Sequence, residues 1–128
     1  MKKNVLMVGM GIAGIVFLYF AYTSLQKPNE VVEVQGEPAI TVVRTETGYE
    51  PSDVTIKKGD IVRFTNESSE YHWPASDLHP THGVYPAFDP LKPIAQGESW
   101  QFQFDQVGTW NFHDHIRANK TGTIMVTE

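Results

Sequence analysis

The sequence predicts an all-β domain, a two-sheet Greek-key β-sandwich over residues 38–128, preceded by one N-terminal transmembrane helix. Three observations lead there. Short segments alternate apolar and polar residues with a period of two, and Gly, Pro and Asn turns separate them at regular spacing, which is the pattern of a sandwich. No stretch after residue 27 carries helical periodicity. At the N-terminus one long run is apolar on all sides, as a membrane span is and a surface helix is not.

Taken in order, the first element is that run. No residue from Asn4 to Gln26 is charged, and Val5 to Leu25 is almost wholly apolar. Roughly 20 such residues cross a bilayer as a helix. Lys2 and Lys3 precede it, which places the N-terminus in the cytoplasm and exports the remainder. The run is long for a cleaved signal peptide, and Ala21-Tyr22-Thr23 is a poor cleavage site, so residues 1–27 are expected to be an uncleaved anchor. Cleavage would instead give a secreted protein. Residues 28–37 read as a linker, with Pro28, Gly36 and scattered acids, and Val31, Val32 and Val34 are able to add a short strand.

Strands follow at Ile40 to Arg44, Val54 to Lys57 and, after the Lys58-Gly59-Asp60 turn, Ile61 to Phe64. Ser99 to Phe104 places Trp100, Phe102 and Phe104 on one face. Gly108 marks a turn, Thr109 to Phe112 alternates again, and Thr123 to Val126 closes the chain. Between them Tyr71 to Pro93 holds five prolines. Proline excludes a central strand, so this segment is expected to be a stiff, ordered loop of the kind that carries function.

Composition narrows the chemistry. The 128 residues include 41% hydrophobic residues with three Trp, five Tyr and seven Phe, enough for a packed core. There is no cysteine, hence no disulfide and no thiolate chemistry. Beyond Lys27, seven Lys and Arg face fifteen Asp and Glu, a charge of −8. Such a domain repels nucleic acid and attracts cations. No Ser/His/Asp triad spacing, phosphate-binding glycine loop or zinc-protease motif is present.

All five histidines, His72, His79, His82, His113 and His115, fall in one window, two as H-x-x-H in the proline-rich loop and two as H-x-H at a predicted strand end. A lone loop histidine is ordinary polar surface. Five together form a metal-binding set, because neutral imidazole is the commonest metal ligand and suits copper and zinc. In an extended segment His113 and His115 point to the same side. Asp77, Asp89 and Asp114 stand ready to orient imidazoles or to cap turns. Tyr71, Trp73, Tyr85 and Trp110 lie near the histidines, with packing as their expected role.

The stretch from Gly48 to Glu128 resembles the cupredoxins, the fold of plastocyanin, azurin and multicopper oxidase domains. The matching residues are Tyr49-Glu50-Pro51, then Val54 through Asn66, then Gly97-Glu98-Ser99-Trp100, Phe102-Gln103-Phe104, Gly108 through Phe112 and Gly122 through Val126. The resemblance implies a copper site drawn from two strand ends. One histidine follows the Asn turn, where His72 stands. Cysteine, histidine and often methionine come from the loop between the last two strands. Either His113 or Asp114 takes the cysteine slot, His115 lies close to the second histidine, and Lys120 or its neighbours replace the methionine. His72, His113 and His115 are therefore expected to converge, with His79 or His82 completing the set.

Without a thiolate, Cu(II) is favoured over Cu(I), and zinc is the other metal such donors accept. The expected function is an extracytoplasmic copper-binding protein that holds, buffers or delivers the metal. It would be membrane-anchored and face the periplasm or cell exterior, with a redox or copper-transfer protein as partner. The alternatives are an electron-transfer protein with an atypical centre and, further off, a small copper redox enzyme.

Overall fold

A computed structural model describes residues 34–128. The anchor, most of the linker and the strand expected at Val31 and Val32 lie outside the described residues. Among the described residues no helix is long and apolar enough to cross a membrane.

Eight strands form two four-stranded sheets. The first sheet runs in the order β2 (Tyr49–Glu50), β1 (Ile40–Arg44), β4 (Ile61–Asn66), β6 (Ser99–Gln103). The second runs β3 (Asp53–Lys57), β8 (Thr121–Thr127), β7 (Gly108–Asp114), β5 (Pro74–Ser76). β1 pairs with β4, and β3 with β8, in parallel; the other pairs are antiparallel. This is the all-β sandwich that the alternation predicts.

Alternation also decides the core. Val42, Val62, Phe64, Trp100, Phe112, Ile124 and Val126 take the inward phase of their strands and are buried. Phe104 is fully buried just past the end of β6, and Phe102 packs against the same cluster. Gly122 stands opposite Phe112 in the β7–β8 register because a Cβ there would run into the Phe112 ring and the Ser52 carbonyl.

The structure corrects the sequence reading in three places. Tyr49–Glu50 forms a short edge strand that was not expected. β7 and β8 run longer than the apolar alternation suggests, so β7 carries His113 and Asp114 within it. The proline-rich segment is not wholly irregular, since Pro74–Ser76 is a strand. Pro74 is tolerated because β5 lies at the edge of its sheet and Pro74 is its first residue, where a missing N–H disturbs least.

The rest of that segment is held by packing. Its ends are tied together by the paired backbone hydrogen bonds of His72 and Ile94, at 3.1 and 2.8 Å. Phe88 plugs into the core among Phe64, Trp100, Phe102, Phe104 and Phe112, with ring centroids 5.0–6.0 Å away. Burying such a side chain stabilises by about 1.5–3 kcal/mol. With Tyr85 and Ile94, also buried, it anchors the loop to the end of the sandwich.

Candidate metal centre

The end of β7 divides its residues between two faces. Phe112 and Asp114 point into the sandwich, where Phe112 packs on Phe64 and Phe88 and Asp114 meets Arg44 of β1. His113 lies between them, so it faces the other side of the sheet. Its register partner Ala75 shares that face, as does Asp77 two residues further on. The Asp77 carboxylate accepts a hydrogen bond from His113 Nδ1 at 2.9 Å.

His115 continues the same phase just past the strand. Its N–H donates to the Trp73 carbonyl at 2.8 Å, and its ring lies 4.9 Å from the Trp73 ring. The loop lays His79 and His82 over this face. The Ser76 hydroxyl contacts the His82 and Tyr85 carbonyls, each at 2.9 Å, and the His82 N–H donates to the Leu78 carbonyl at 2.7 Å. His82 itself sits at φ 53°, a left-handed conformation that costs a non-glycine residue of order 1 kcal/mol or more. Strain of this kind concentrates where a side chain must be aimed.

The four imidazoles of His79, His82, His113 and His115 each offer a nitrogen, and these nitrogens lie within 4.8 Å of one another. His79 Nδ1 is 3.2 Å from His113 Nε2, and His82 Nε2 is 3.0 Å from His115 Nδ1. Ligand nitrogens about 2.0–2.1 Å from one metal ion stand roughly 2.9–3.3 Å apart, so both pairs already have the spacing of a coordination edge.

Two carboxylates fix the ring directions. Asp89 accepts from His82 Nδ1 at 2.6 Å, and its other oxygen accepts from Trp73 Nε1 at 2.7 Å and from the Leu91 N–H at 2.8 Å. Burial pushes the Asp89 carboxyl up, but these donors outweigh it and hold it below its usual range. With Nδ1–H donated to carboxylates, His82 and His113 present bare Nε2 lone pairs to the centre. Such carboxylate–histidine pairs are how metal-ligating imidazoles are held in one tautomer. Burial, then the neighbouring imidazoles His82, His79 and His113, push the His115 pKa down, which favours the neutral imidazole over the imidazolium.

The structure thus brings together four of the five histidines and sets His72 apart. His72 was expected to join His113 and His115. It has the phase of Pro74 and Asp114 rather than that of His113, so its ring enters the sandwich. There it is fully buried, with Nδ1 3.4 Å from the Tyr49 hydroxyl. Of the two roles left open for the loop aspartates, Asp77 and Asp89 orient imidazoles, Asp89 also capping the Leu91 N–H, whereas Asp114 faces the interior. Sequence reasoning missed Arg44. The available signal was its phase, since Arg44 alternates with inward-facing Val42, and a buried cation requires a buried anion.

His72 yields a pH prediction. Burial lowers its pKa to about 4, Arg44 adding to the effect and Asp114 opposing it. A histidine whose folded pKa is depressed contributes stability above its unfolded pKa of roughly 6.5 and loses it as pH falls toward 4, because the unfolded chain binds the proton first. The apo protein should lose about 3 kcal/mol across that window. Urea unfolding of the parent and of His72→Gln at pH 7 and 4.5 checks it. An equal acid loss in both proteins would assign the effect to other groups.

Comparison with known proteins is consistent with this architecture. The cupredoxin-like domain family matches residues 13–126. Among curated proteins no sequence matches. A purple cupredoxin from Nitrosopumilus maritimus superposes with a TM-score of 0.60 at 18% identity, covering 69% of this chain and 99% of that one. A reduced Cu(I) form of an amicyanin variant gives 0.62 at 20% identity, covering 79% and 92%. An oxidised amicyanin variant gives 0.61 at 23% identity, covering 76% and 89%. At these identities the likeness is one of fold.

Proposed function

The chain belongs to the cupredoxin-like family, and on that premise we propose that it is an extracytoplasmic copper-binding protein whose metal is held by His79, His82, His113 and His115. One observation carries the reading: four imidazole nitrogens converge within 4.8 Å, two of them on rings aimed by Asp77 and Asp89. Four nitrogen donors without sulfur suit Cu(II), with zinc as the competing ion. The acidic balance beyond Lys27 raises the local cation concentration.

The role that follows is to hold, buffer or deliver copper to a protein partner. The uncharged run from Asn4 to Gln26 supports a membrane anchor, and Lys2 and Lys3 support export of the remainder to the periplasm or cell exterior.

A second reading is electron transfer. Its support is the relatives, since amicyanin is known in oxidised and reduced forms. Against it stands the donor set, because imidazoles without thiolate or thioether hold Cu(II) in preference to Cu(I).

Titrating the full-length chain with Cu(II) separates the two. One equivalent should bind, with weak visible absorption, a tetragonal EPR signal carrying nitrogen hyperfine structure, and resistance to mild reductants. Reversible reduction at moderate potential would favour electron transfer. Absence of stoichiometric metal would end the copper reading.

A further inference from the structure

A second group of ligand-type side chains lies on the opposite face of the same strand end and takes no part in the four-histidine centre. Arg44, Tyr49, His72 and Asp114 are all buried between the sheets. The Arg44 Nε donates to Asp114 Oδ2 at 3.3 Å. Asp114 Oδ1 accepts from the backbone N–H groups of Trp73 and Ile116, at 3.1 and 3.0 Å. The Tyr49 hydroxyl meets His72 Nδ1, and the Arg44 guanidinium carbon lies 5.9 Å from the Tyr49 ring centroid. His72 Nε2 and Arg44 Nη1 are buried with no hydrogen-bond partner among the described residues.

An imidazole with an unused nitrogen and a buried carboxylate are metal ligands in search of a cation. They stand on the two strand ends from which the resemblance draws a copper site. The cation present is Arg44. Its Nε–H donates to Asp114 Oδ2 and its positive charge balances that buried carboxylate, which leaves a copper ion no net charge to neutralise. The residues there do not fit the family's metal, because no thiolate is present and a buried arginine already neutralises the carboxylate of Asp114.

We propose that Arg44 takes the place of a metal ion in the sandwich interior, closing a latent His72–Asp114 site for a divalent ion such as Cu(II) or Zn(II), so that this chain binds metal only on the outer, four-histidine face. The proposal rests on the preceding functional reading only for the count of one metal in the parent; the interior site is tested by itself.

The test uses the full-length chain and Cu(II) or Zn(II), with bound metal counted by elemental analysis after gel filtration. In a His113→Ala background, which weakens the outer centre more than 100-fold, the parent interior should bind none. Adding Arg44→Met, of similar length and no charge, should bring in one equivalent, and adding His72→Ala to that variant should remove it. A folded Arg44→Met/His113→Ala protein that binds no metal overturns the proposal. So does metal bound in the His113→Ala background at His72 with Arg44 intact. If Arg44→Met leaves the apo chain unfolded, metal should restore its circular dichroism in the presence of His72 and not in its absence; restoration independent of His72 counts against the proposal.

A measurement without variants closes the case. At saturating Zn(II) the His72 ring resonances should keep their apo shifts, and a metal-induced shift at His72 would refute the interior closure. Failure of the outer centre alone appears differently, as parent protein that binds no metal while the Arg44→Met/His113→Ala result is unchanged.

Discussion

Replacing His113 by Ala should lower copper affinity more than 100-fold. His113 lies at the junction of the site: its Nε2 is 3.2 Å from His79 Nδ1, its ring is 5.1 and 5.3 Å from the rings of His79 and His82, and its Nδ1 is held by Asp77. Its loss removes one of four donors and the ring that joins the loop to the strand. Mutating only an outer partner of a metal ligand already costs about 10–100-fold, so a donor must cost more, and Asp77→Asn should fall within that lower range.

Tyr85→Phe is the control. Tyr85 is buried nearby, and its hydroxyl accepts a hydrogen bond from the Asp105 N–H at 3.3 Å, yet it donates nothing to the centre. It should leave copper affinity unchanged. Competition with a chromophoric chelator measures all three variants. His113→Ala with parental affinity would show that the metal is held elsewhere.

The second large effect concerns stability. Asp114→Ala should destabilise the apo domain by about 3–5 kcal/mol, the cost of leaving one charge of a buried pair alone. Both partners are buried, with Arg44 at 1% and Asp114 at 0% exposure. The substitution also strips the acceptor from the Trp73 and Ile116 N–H groups. Domains are stable by only 5–15 kcal/mol in general, so the loss is a large share. Asp114→Asn keeps a carbonyl oxygen for the backbone donors and should lose less. Urea denaturation midpoints give both numbers. A loss below about 1 kcal/mol for Asp114→Ala would mean that the pair is hydrated rather than buried.

The two variants probe opposite sides of one strand end. Adjacent residues His113 and Asp114 serve different functions because the strand alternates. The outward residue faces the loop and the other histidines, and the inward one neutralises an arginine from the opposite sheet.

That alternation was legible in the amino-acid sequence. Period-two segments and turn residues determined the strands β1, β3, β4, β6, β7 and β8, and the absence of cysteine determined that any metal is held without a thiolate. His113 and His115 on a common side followed from the same pattern, whereas the sequence left Asp77 and Asp89 between turn capping and orienting imidazoles, and only the structure shows them on His113 and His82. What period two cannot say is which histidines from separate segments share a face. His72 stands where the resemblance sets a ligand, yet β5 pairs Pro74 with Asp114 and Ala75 with His113, and that register turns His72 inward while laying the loop over His113. A shift of one residue would have reversed both outcomes. The register is set by nonlocal packing, by Phe88 filling the core and by the buried Arg44–Asp114 pair 70 residues apart in the chain, so only the folded structure could decide it.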